Sequence, residues 1–157
     1  MDRSLNDLKK DYSVLQKKYK IPIFDDLNLH FDIERVSERE TDFLLREIRR
    51  TVADKIYLYL KFCELILSPS NAPLFMFSLI KNLDAESKKK IEEIYKKLSK
   101  IDILMMDLDL NYSEKKEADF ISSIFKEWKL VNVDLSAVVQ SFKSSVDRSS
   151  DRNNKAY

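Results

Sequence analysis

Residues 84–112, DAESKKKIEEIYKKLSKIDILMMDLDLNY, decide the fold. Ile91, Ile94, Leu98, Ile101, Met105, Leu108 and Tyr112 recur at steps of three and four, the heptad spacing that keeps one face of a helix apolar. Leu104 to Leu110 also alternates as a strand would, but the heptad runs straight through it, so the spacing predicts one helix over 85–111 capped by Asp84. That helix carries Asp107 and Asp109 near its C-terminus, where the macrodipole disfavours negative charge. After a turn and cap at Asn111 and Ser113, the period resumes over 114–146 at Ile121, Ile124, Trp128, Val131, Leu135, Val138 and Phe142. Two heptad helices joined by so short a turn predict an antiparallel helical hairpin.

Upstream, Ile66 to Phe77 reads ILSPSNAPLFMF, two apolar runs around a cluster of turn formers. Before it, Ser37-Glu38-Arg39-Glu40 has the form of a capping box, predicting a long helix over about 38–67. Its buried stripe would hold Leu44, Leu45, Ile48, Val52, Ile56, Tyr59, Leu60, Cys63 and Leu67. After Pro69, a short helix over 72–82 is apolar on nearly every side, with Pro73 in its first turn. At the N-terminus, Leu5, Leu8, Tyr12, Leu15 and Tyr19 predict a helix over 4–19. Ile21-Pro22-Ile23 breaks it, and 20–36 reads as a linker with a short helix around Phe24, Leu27 and Phe31. The polar, aperiodic stretch from 147 to 157 predicts a disordered tail. Together these readings give an all-α fold, a single domain over 1–146, as a bundle of roughly four to five helices built on the heptad hairpin and able to dimerise.

Composition narrows the function by exclusion. The chain has Gly 0, where ordinary usage would give roughly 11 in this length. Phosphate-cradling loops need glycine where backbone meets phosphate, so P-loop and dinucleotide sites are excluded. No cofactor is expected. Lys+Arg 28 against Asp+Glu 27 leaves no global field toward nucleic acid or anionic lipid. The single Cys63 has no intramolecular disulfide partner, and MDRSLNDLKK lacks the apolar core of a signal peptide, so a cytoplasmic location is expected. No apolar run reaches the ~18 residues of a membrane span, Lys61 and Glu64 interrupting the longest.

Chemistry-bearing residues are few and scattered. His30 is the only histidine and stands far in sequence from Cys63, itself set among apolar neighbours, so neither predicts catalysis. Asp102, Asp107, Asp109, Glu114 and Glu117 form an acidic run, but Asp107 lies off the face shared by Asp102 and Asp109, and no calcium-type loop accompanies them. The chain is therefore expected to be no enzyme. Arg46, Arg49 and Arg50 fall at i, i+3 and i+4, a spacing suited to phosphate contact, although Glu47 and Asp54 are interleaved. Lys88, Lys89, Lys90, Lys96, Lys97 and Lys100 form a second basic group, blunted by Glu92 and Glu93. Leu74, Phe75, Met76 and Phe77, with Tyr57 and Tyr59, supply the aromatics and methionine that interface cores favour. The leading expectation is a non-enzymatic interaction or scaffold domain that binds a protein partner or itself as a homodimer. The alternative is a nucleic-acid-binding or regulatory module that sets the three arginines on phosphates.

Overall fold

The computed structural model describes residues 3–154. Among them the fold is all-helical, with α1 Leu5–Tyr19, α2 Phe24–Phe31, a 3₁₀ turn Ile33–Glu38, α3 Leu44–Leu67, a 3₁₀ turn Pro69–Asn71, α4 Leu74–Lys81, α5 Ala85–Leu110 and α6 Glu114–Asn154. No strand occurs among the described residues, and α5 is helical through the stretch that alternates. Residues 3–154 divide into two compact units, 3–57 with 101–128 and 58–100 with 129–154.

The first unit holds α1, α2, the following 3₁₀ turn, and parts of α3, α5 and α6. Ser4 opens α1, its Oγ accepting from the Asp7 N–H at 3.2 Å. Leu8 and Tyr12 bury the stripe that the sequence predicts, and the Tyr12 hydroxyl donates to the Pro22 carbonyl at 2.5 Å. Burial pushes that phenol well above its ordinary pKa. Tyr12 also meets Phe24 edge-on at 5.4 Å, while Phe31 packs on Trp128 at 5.4 Å. The supposed linker is thus ordered core, with Leu27, Phe31, Ile33 and Val36 buried.

Ser37 caps nothing. It lies inside the 3₁₀ turn that buries Ile33 and Val36, and α3 begins only at Leu44. Thr41 takes over the local role, its Oγ1 accepting from the Phe43 N–H at 2.9 Å. The capping-box pattern fails because core burial of Ile33 and Val36 tightens the preceding residues into a different turn.

In the second unit, Asp84 does cap α5, its Oδ1 accepting from the Ser87 N–H at 2.7 Å. Ile91, Ile94 and Leu98 from α5 are buried, as are Val131, Leu135, Val138 and Phe142 from α6. Phe62 of α3 contacts Phe142 edge-on at 5.9 Å. α6 continues past Val146 to Asn154, where the composition predicts a disordered tail, and 155–157 lie outside the described residues.

Without glycine, two helix ends close on side-chain-bearing residues in the left-handed region, Lys20 at φ 54° and Asp32 at φ 52°. Their N–H groups reach back to Gln16 O at 2.8 Å and Asn28 O at 2.9 Å, the bonds that a glycine cap normally makes. A Cβ at this geometry costs about 1–2 kcal/mol, partly offset by the lower unfolded-state entropy of a non-glycine residue. We therefore expect Lys20→Gly to stabilise the protein by about 1 kcal/mol, read as a higher denaturant midpoint at unchanged slope.

Candidate functional site

α4 begins after Pro73 without any side-chain cap and ends at Lys81. Eight residues give barely two turns, so the helix depends on what it packs against. Ile80 is its only buried residue. Leu74 is 89% exposed, Phe75 69% and Phe77 38%, so the segment that is apolar on nearly every side lies at the surface of its unit. Met76 is half-buried and, with Leu79, lines a groove of about 450 Å³ completed by Phe62, Val139, Phe142 and Val146. Lys143 and Asp147 complete the lining, one charge of each sign.

The two tyrosines read alongside this segment fall elsewhere. Tyr57 is 48% exposed and belongs to the first unit, while Tyr59 is half-buried on α3 and does not line the groove. Leu58, Leu65 and Leu67 line a second hollow, with Phe62, Tyr95 and the Pro69–Asn71 turn region beside them.

The three arginines separate. Arg49 is fully buried; its Nε donates to Glu117 Oε2 at 2.8 Å and its Nη2 to Asp109 Oδ1 at 2.7 Å and Glu117 Oε1 at 3.2 Å. Burial opposes its charge, but these carboxylates outweigh it and hold the guanidinium pKa above its ordinary value. The Arg49 Nη1 is buried without a hydrogen-bond partner among the described residues. Arg46 lies 3.8 Å from Glu117 and stacks over the Tyr112 and Phe43 rings at 4.4 and 5.5 Å, a cation–π pair. Arg50 bonds Glu47 at 2.9 Å, and Arg39 reaches the same carboxylate at 2.9 Å. Arg49 is thus enclosed by its carboxylate partners, with no exposed side-chain surface.

Of the acidic run, Asp109 and Glu117 meet Arg49, whereas Glu114 pairs with Tyr19 and Lys18. The Arg49 hydrogen bond holds Asp109 below the usual carboxylate range, and the Tyr19 hydroxyl, then Lys18, does so for Glu114, at 2.6 and 2.9 Å. No group of three or more His, Cys, Asp or Glu able to hold a metal occurs among the described residues. His30 is half-buried with its ring 6.0 Å from Phe125, and Cys63 is fully buried, burial pushing its thiol up to about 11.

One surface escapes the sequence reading. Ile103 (72% exposed), Met106 (65%) and Leu110 (81%) form a second apolar stripe on α5, away from buried Ile101 and Leu108, with Leu104 (54%) exposed between the two faces. Its signal is the alternation at 104–110, which makes the helix apolar on two sides. No helix among the described residues is long and apolar enough to cross a membrane. Compared with family models, curated proteins and solved structures, the chain has no significant match.

Glu117→Gln should destabilise the protein by about 3–5 kcal/mol in urea, because it leaves Arg49 as a buried, half-compensated charge, whereas Arg49→Met with Glu117→Leu should recover most of the loss. Asp109 and Glu114 have folded pKa values below their ordinary 3.8 and 4.5, so their contribution is complete above those values and is lost as pH falls through the lower folded ones. The acid midpoint of Asp109→Asn should therefore lie at a higher pH than that of the native chain. Cys63 should resist a disulfide reagent at pH 8 in the folded protein and react fully in urea.

Proposed function

We propose that the chain is a non-enzymatic protein-interaction module whose contact surface is α4 and the groove beside it. The exposure of Leu74 and Phe75 next to an apolar groove carries this reading. Contiguous apolar surface of this kind marks binding sites in soluble proteins, and its aromatic and methionine content is that of interface cores. A second copy of the chain suits it best, because the patch offers both protruding aromatic rings and an apolar groove to receive them. The Lys143 and Asp147 pair at the groove is likewise self-complementary across a two-fold axis. Behind this surface, the heptad residues of α5 and α6 are buried almost throughout, which supports an antiparallel hairpin as the spine that presents α4.

Of the arginine trio, only Arg46 and Arg50 offer a surface for nucleic acid, since Arg49 is enclosed. That surface is small and shared with Glu47 and Glu117.

Light scattering across the micromolar range should show a mass that rises with concentration toward twice that of the monomer. Phe75→Asp should hold the mass at one chain without changing the thermal midpoint, since the side chain is largely exposed. A native chain that stays monomeric throughout would remove the second copy as partner. Oligonucleotide binding that weakens steeply with salt and is lost in Arg46→Gln with Arg50→Gln would favour the other module instead.

A further inference from the structure

The exposed stripe on α5 has its own grammar, independent of α4. Ile103, Met106 and Leu110 are spaced three and four apart, the a, d, a positions of a coiled-coil seam, and all three are largely solvent-exposed. Taking Ile103 as a, the flanking e and g positions are Asp102, Asp107 and Asp109. Every position that selects a coiled-coil partner by charge is an aspartate.

Along the chain, the stretch that carries the stripe is purely acidic. No Lys, Arg or His lies between Lys100 and Lys115, and the last turn of α5 holds no basic residue to meet the negative end of its dipole. Asp109 is matched by buried Arg49, with Arg46 and Arg50 adding to its field. Asp107 accepts from the Asn111 amide and has a cation only as near as Lys116, at 4.0 Å. Asp102 has no ion pair among the described residues. We propose that this face docks an amphipathic helix of another protein whose apolar edge is flanked by lysines or arginines.

Charge argues against the other occupants. A second copy would set aspartates of the e and g positions against their own kind, a repulsive arrangement that disfavours self-pairing through this seam. Anionic lipid and nucleic acid are repelled by the same aspartates. The stripe spans about 10 Å along the helix axis, two turns, so binding should be modest and strongly dependent on charge.

The test uses two synthetic three-heptad helices with leucine and isoleucine at a and d, one with lysine and one with glutamate at e and g, titrated by calorimetry into the full chain. We expect the lysine helix to bind at least roughly tenfold more tightly than the glutamate helix, and to weaken as salt rises from about 50 to 500 mM. Asp102→Lys with Asp107→Lys should invert the preference, Met106→Asp should abolish binding, and Phe75→Asp should leave it unchanged, separating this face from α4. All the substituted side chains are at least partly exposed, so circular dichroism should report native melting. Equal affinity for both helices, binding that survives Met106→Asp, or binding of neither helix would overturn the proposal. So would a concentration-dependent mass of the native chain that Met106→Asp abolishes, because it would place a second copy on the seam.

Discussion

A buried guanidinium organises the first unit. Arg49 on α3 is sealed from water, and a lone charge in that position would cost several kcal/mol, so Glu117 and Asp109 must be delivered to it. Glu117 sits in the first turn of α6, where the helix dipole favours a carboxylate. Asp109 sits in the last turn of α5, where the dipole opposes one, and Arg49 supplies the missing compensation. One side chain of α3 thereby fixes the register of two other helix ends. Arg46, laid over Tyr112 and Phe43, closes the same cluster from outside. Replacing such a cluster by apolar residues can be neutral or stabilising, so its contribution is positional rather than a source of net stability.

The absence of glycine acts on the connections. Helix ends that would take a glycine instead force Lys20 and Asp32 into left-handed geometry, which the burial of Leu8, Tyr12, Leu27 and Phe31 on the adjoining helices makes tolerable. Asp32 also pairs with Lys55 at 3.0 Å, so the strained residue doubles as an anchor for α3.

Long-period patterns were legible in the sequence and short-range chemistry was not. Most of the periodic apolar positions of α5 and α6 are buried, Met105 and Tyr112 excepted, because burial of many side chains at one period outweighs any single position. Ser37 misled because a capping box needs three residues that are free to adopt cap geometry, and Ile33 and Val36 were committed to the core. The 20–36 segment read as linker because α2 is only eight residues long and its apolar positions fit two periods at once. The burial of Arg49 was not legible because its carboxylate partners are far away in sequence, and spacing on one helix says nothing of what another helix brings. At α4, composition could not separate core from surface, whereas exposure of Leu74 and Phe75 does.

α4 is the least anchored helix of its unit, with no cap at its start, two turns in length and one fully buried side chain. Its helical state is worth little on its own, so any occupant that covers Leu74 and Phe75 also supplies part of the free energy that keeps those residues helical. Under the proposed role, recognition at this surface would be inseparable from local folding: amide protons of 74–81 would exchange at a pace set by the occupant rather than by the rest of the chain.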